Sequence, residues 1–449
     1  METDRKRSWR TPLILIGVIL ALAVLGYALL DWETARALQA ELDRLRAAGE
    51  PLTMAEVAPD PVPDSDNAAL LYIEAFAHVQ EDRRLHDICR GLKMAPSTAA
   101  RRKLIEELRP LVDANRQGLA IAARAAQLPH SRLELDWESW DVGTPTLVIQ
   151  YTPRFRSLSR VLAAQAALES ADGDADAAIE SCLTGVRIAC HLMQDPEFTL
   201  LLTSYAVQSI ALAELRAVLE ENQLDAPTCA AACDELGAID LRGPLHRALQ
   251  VERAGGLLLL DYLAAHRTEP IELEFWDADT PLWASVLYAS PLCDIIQRSE
   301  RLMWLDLTGR TIELSGRPYR EVARQVSRVQ EQMGSAPRYY VGLHWISVYP
   351  KLIASRDQCQ TVINATRVAL ALEAYHSKHG KYPNSLVDLH EYPSWALPDD
   401  PFSDKPFAYR RRGEGFVLHS FGGDLDDDGG RPVEGSWLAD GDLVWECAK

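Results

Sequence analysis

The sequence predicts a mainly α-helical chain: an N-terminal transmembrane helix, a helical-hairpin region exported beyond the membrane, and a C-terminal α+β unit carrying a small antiparallel sheet. Three observations lead there. An uncharged run of twenty residues lies near the N-terminus, apolar residues recur at helical spacing through the middle of the chain, and short β-type runs are confined to its C-terminal end.

The uncharged run, Thr11 to Leu30, reads TPLILIGVILALAVLGYALL. At about 1.5 Å rise per residue it crosses a hydrocarbon layer of roughly 30 Å. Arg5, Lys6, Arg7 and Arg10 precede it, while Asp31 and Glu33 follow. The positive-inside rule then predicts a cytoplasmic tail over residues 1–10, a single span over 11–30 and export of the rest, which for a bacterial chain means the inner membrane with the bulk in the periplasm. The competing reading is a secretory signal peptide cut near Ala35-Arg36-Ala37, which has the small-x-small form of a cleavage site. An apolar run longer than the usual core of about 7 to 15 residues favours the anchor.

A net charge of -19 argues against nucleic acid as a partner, because phosphate binding needs a basic face and the exported part offers none. The length beyond the span suggests two or three units, and a hydrophobic content of 47% can fill their cores. Eight cysteines are too sparse for a disulfide scaffold, although an oxidising compartment would permit some pairs, whose connectivity the sequence does not fix.

Residues 31–66 read as stalk and linker. Leu38, Leu42 and Leu45 share one helix face, Gly49 and Pro51 end that helix, and the Pro- and Asp-rich stretch Ala58 to Asp66 cannot continue one. Residues 67–350 read as a helical exported region. Its clearest stripe is Ile179, Cys182, Leu183, Val186, Cys190 and Met193, preceded by a helix over Ser157 to Ser170 and followed by one carrying Leu201, Tyr205, Leu212, Leu215 and Leu219. Antiparallel hairpins are the expected packing. Gly173, Asp174, Ala178, Ile179, Cys182 and Gly185 together resemble a single tetratricopeptide unit, whose small residues let paired helices approach closely. The later part of this region holds Trp276, Trp283, Tyr288, Trp304, Tyr339, Tyr340 and Trp345. Core packing explains them, and an aromatic ligand groove is the functional alternative.

Residues 351–449 begin with a helix along which Cys359, Val362, Ile363, Thr366, Ala369 and Leu370 line one face, closing at Gly380. Short β-type runs follow at Phe407 to Tyr409, Phe416 to His419 and Leu443 to Trp445. The order of motifs here, Gly380-Lys381-Tyr382-Pro383, then Asp400-Pro401-Phe402, then Ser420, Gly422 and Asp424, resembles the globular part of the major pseudopilin of type II secretion systems. The pseudopilin's cleavable N-terminal signal has no counterpart in Met1 to Leu30.

That resemblance implies a pseudopilin-like unit with calcium near its end, and the local chemistry points the same way. Asp424, Asp426 and Asp428 alternate and Gly429 follows, giving the first half of a calcium loop in which hard carboxylate oxygens converge. The twelfth position is Gly435 rather than a bidentate Glu, so further ligands must be borrowed, and Asp440 and Asp442 are the candidates. The alternative is a solvated acidic turn. No H-E-x-x-H, G-x-S-x-G, P-loop or C-x-x-C occurs, so no catalytic residue can be assigned. The expected function is a non-enzymatic interaction or scaffold protein of the cell envelope, secretion-related through the pseudopilin resemblance, whose partners are the membrane and other envelope proteins. The runner-up is an exported hydrolase with its site in the aromatic middle region.

Overall fold

A computed structural model describes residues 10–80, 83–93, 98–141, 148–266, 290, 292–335, 349–391, 397–434 and 440–447. Trp276, Trp283, Tyr288, Tyr339, Tyr340, Trp345 and Gly435 lie outside these residues. Within them the chain is mainly helical, with one antiparallel three-stranded sheet.

The first helix, α1, runs without a break from Arg10 to Ala47, about 57 Å at the standard rise. No proline or paired glycine interrupts it between the apolar run and the segment that follows. It ends where Gly49 adopts a positive φ of 74°, a conformation that costs a side chain more than glycine. Its two halves differ. From Pro12 to Leu25 the side chains are exposed, whereas Leu45 is buried and Leu38 and Leu42 pack against the main hydrophobic core. An apolar N-terminal helix compatible with a membrane or signal anchor is therefore present. The segment expected as a stalk is docked on the body instead. Asp31 pairs with Arg298 at 2.6 Å, and Glu50 pairs with the buried Arg253 at 2.6 Å.

After the irregular stretch to Asp66, the Asn67 side chain accepts from the Ala69 amide and starts α3 (Ala68–Phe76); the four-residue α2 (Met54–Val57) precedes it. Helices α3, α4 (Arg83–Lys93), α5 (Thr98–Ala114) and α6 (Arg116–Ala125) build a core of their own against α7 (Thr152–Ala171). Tyr72 ties this core together: it meets Phe155 edge-on at 5.6 Å and its hydroxyl hydrogen-bonds His191 Nδ1 at 2.7 Å.

Helices α7, α8 (Ala175–Leu192) and α9 (Phe198–Glu221) form the expected hairpins. Asp174 caps α8 by accepting from the Ala177 amide. Gly185 lets α8 close on α9, because a Cβ there would stand 2.9 Å from that of Ala211. Helix α10 (Ala226–Gly237) follows. Then α11 (Arg242–Ala265) packs on α12 (Cys293–Ser315), with the Trp304 indole lying on Gly256 and donating to the Arg253 carbonyl at 3.0 Å. Trp304 is thus packing material.

Helix α13 (Tyr319–Gly334) leads toward α14 (Tyr349–His379), which is buried on most sides from Tyr349 to Ala374 by α9, α10 and α13. Its buried Arg356 donates to the carbonyls of Ser315 and Arg317, two acceptors left open where α12 ends. Beyond it, β1 (Ala408–Arg412), β2 (Gly415–Ser420) and β3 (Leu443–Cys447) pair in that order, with β2 central and buried throughout. Arg216 of α9 stacks on Trp445 and donates to the Val444 and Glu446 carbonyls. One hydrophobic core therefore runs from Leu45 through the helical region to Trp445 and Cys447. All eight cysteines are free thiols.

Candidate metal centre

Strand β2 ends at Ser420, and the next turns depend on glycine. Gly422 has φ +76° and sits so close to the Gly441 carbonyl that a Cβ would come within 2.6 Å of it; Gly441, at φ +132°, would place one 2.6 Å from the Val433 backbone. Gly422 and Val433 therefore both meet Gly441 at backbone distance, which brings the segment Asp424 to Gly430 alongside Asp440 to Asp442. Asp424 fastens them by accepting from the Gly441 amide at 2.9 Å.

Asp424, Asp426, Asp428 and Asp440 converge there, one carboxylate oxygen from each lying within 4.8 Å of the others. A calcium ion 2.3–2.6 Å from its ligands needs oxygens separated by at most about 5 Å, so this spacing fits one ion. Asp424 Oδ1 and Asp428 Oδ2 are buried and have no hydrogen-bond donor among the described residues. Four carboxylates this close repel one another. The Asp424 charge pushes the exposed Asp426 carboxyl above the usual carboxylate range, and Asp428 and Asp440 act in the same direction. Arg431 offsets part of the charge by bonding Asp428 at 2.5 Å and Asp440 at 2.7 Å.

Asp442, the fifth candidate, lies elsewhere. Its buried carboxylate accepts from the Gly430 amide at 2.6 Å and the Asp428 amide at 3.3 Å, and faces His419 with Asp427 in a second cluster. Its position is that of a loop fastener: it holds the acidic turn in the shape that lets the other four converge. Burial pushes its carboxyl up, against the pull of those two amides. Asp427 moves down, because the Gly429 amide and His419 donate to it.

Asp400 supplies a third support. This buried side chain accepts from the Ser420 hydroxyl at 2.6 Å and from the Phe402 amide at 3.1 Å, so the Asp400-Pro401-Phe402 loop is pinned to the end of β2. The sequence did not single out His419 or Arg431, and it marked Asp400 and Ser420 as motif residues without pairing them. The alternation of β2 places His419 on the same face as Val417, and nothing local marks the other contacts. His376 and His379 at the end of α14 stack on Tyr382 and Tyr375.

A separate polar cleft of about 560 Å³ lies between the start of α13, α14 and the Asp400 loop. Its Arg356 is paired with Asp357, and its Arg320 with Asp404. No family model, no curated protein and no solved structure matches this chain.

Proposed function

We propose that the chain is a single-pass, membrane-anchored scaffold of the bacterial envelope, with its N-terminus cytoplasmic, its body on the far side, and a calcium-stabilised pseudopilin-like end that engages other envelope proteins rather than transforming a substrate. The observation that carries this reading is the division of α1, apolar and exposed in its first half and part of the core in its second. Exposed apolar helix surface of that extent is costly in water and favoured in lipid.

Calcium would be held by Asp424, Asp426, Asp428 and Asp440, and the charge it supplies cancels their mutual repulsion. Asp440 lies two residues before Asp442, where the backbone enters β3, so those four carboxylates join the exit of β2 to the entry of β3. Carboxylate repulsion loosens that junction; neutralising it holds the sheet closed.

Two measurements test the reading on the full-length protein. Protease added to spheroplasts of a producing Gram-negative host should digest the body and leave an N-terminal tag intact; a body that stays protected refutes the exported placement. Calorimetry in detergent should show saturable calcium binding that Asp424→Ala with Asp426→Ala abolishes. Absence of binding to the wild type reduces the cluster to a solvated acidic turn.

A further inference from the structure

Helix α1 is unbroken from its apolar run to the segment docked on the body, so the apolar run fixes a level against which the body's helices can be placed. Arg298 of α12 meets Asp31 of α1, while Leu302 and Asp306 lie beside Ala37, Ala40, Glu41 and Arg44. Residue numbers rise together along both helices, so α12 runs parallel to α1, away from the apolar run. Its first residue, Cys293, is five positions before Arg298 and therefore about 7 Å nearer the membrane than that ion pair. This level corresponds to α1 residues near Gly26 and Tyr27, both half-buried although Leu20 to Leu25 and Ala28 to Leu30 are exposed.

The body thus reaches past Asp31 to the depth of the last apolar turns of α1. Among the described residues, the end that does so is formed by the C-terminus of α11 and the N-terminus of α12. Trp304 on Gly256 and Arg301 on Asp261 show that these two helices are antiparallel, which brings Tyr262 and His266 to the same end as Leu292. Leu292 is 43% exposed and Tyr262 36%, with Tyr262 stacked on His266 at 4.1 Å; Trp32 on α1 is exposed with Arg36 over its ring. Apolar side chains and amphipathic aromatic rings gathered at the level where an apolar helix run ends match what a bilayer interface selects.

We infer that the end of the body formed by Tyr262 to His266 and Leu292 to Ile296 is embedded in the lipid interface, a second membrane contact beside α1. It rests on the anchoring reading and adds to it. The occupant is lipid rather than a protein partner, because the patch is continuous with the exposed apolar half of α1; the exposed Asp294 within it fits the polar headgroup level rather than the hydrocarbon. With two contacts the body cannot swing about the anchor, and the long axis of α12 keeps one angle to the membrane.

The test uses full-length protein in phosphatidylcholine nanodiscs, with photo-reactive benzoylphenylalanine placed singly at Leu20, at Leu292 or at Val387. Val387 is 67% exposed and lies beyond the C-terminal end of α14. All three sites are on the surface, and each variant is required to melt at the wild-type temperature in detergent. After illumination, mass spectrometry should find lipid adducts at Leu20 and Leu292 and none at Val387. Adducts at Leu20 alone overturn the interfacial contact and leave the anchor standing. Adducts at none of the three overturn the anchor as well, and equal adducts at all three overturn the assignment of this end of the body.

Discussion

Adding one methyl group at either of two helix glycines should change stability in opposite directions, because only one of them has a neighbour. At Gly256 a Cβ would fall 1.8, 2.1 and 2.4 Å from three atoms of the Trp304 ring. Ordinary carbon contact needs about 3.5 Å, so the indole must shift by well over 1 Å. Trp304 is 2% exposed and has no room to move, and its N–H would lose the Arg253 carbonyl. Overpacking costs about 1–3 kcal/mol and the broken buried hydrogen bond about 1–3 kcal/mol, against a gain of about 1 kcal/mol from replacing glycine inside a helix. Gly256→Ala should therefore destabilise by about 3 kcal/mol. Gly309, on α12, has nothing within 4 Å of its Cβ position among the described residues, so Gly309→Ala should stabilise by about 0.5–1 kcal/mol. Urea unfolding of full-length protein in detergent, followed by tryptophan fluorescence, reads both variants. A Gly256→Ala midpoint at or above wild type refutes the close packing of α11 on α12.

Three further outcomes are expected. Glu50→Ala leaves the buried Arg253 guanidinium without its carboxylate and should cost about 3 kcal/mol in the same unfolding assay, while Glu50→Ala combined with Arg253→Met should recover most of it; equal losses in both refute the pairing. Burial beside Tyr349 pushes the Glu252 carboxyl up to about 7, so the folded state holds a proton that the unfolded state releases near 4.5. Stability should then fall on the order of 2 kcal/mol as pH rises from 4.5 to 7, a slope that Glu252→Gln removes in pH-resolved melts. Without calcium, the raised Asp426 carboxyl should make the C-terminal sheet lose hydrogen-exchange protection as pH rises just above the usual carboxylate range; with millimolar calcium that loss should vanish, and a slope that calcium leaves unchanged argues against binding.

What the sequence made legible was whatever a fixed length or period encodes. The membrane-length run, the α7–α8–α9 hairpins and the three strands all follow from rules that act within about twenty residues. What it hid depends on pairs far apart in the chain. The Leu38, Leu42 and Leu45 face read as a stalk because nothing local says that Arg253 and Arg298 wait some two hundred residues later to hold that segment. Helix α14 offered one apolar face to the eye, yet it is buried nearly all round, because Arg356, Asp357 and Glu373 find partners in α12, α13 and Tyr382. In the acidic turn, alternate aspartates announced a convergence of carboxylates. Which of Asp440 and Asp442 joins it was decided by backbone amides at Gly430 and Asp428 that no spacing rule reports.

The unbroken course of α1 gives the molecule the mechanics of a rod set in a socket. A flexible tether would let the body tumble and would dissipate any pull applied to it. Here a sideways force on the body acts through the α1–α12 contact as a torque on the apolar half, so load on the body is converted into tilt of that segment.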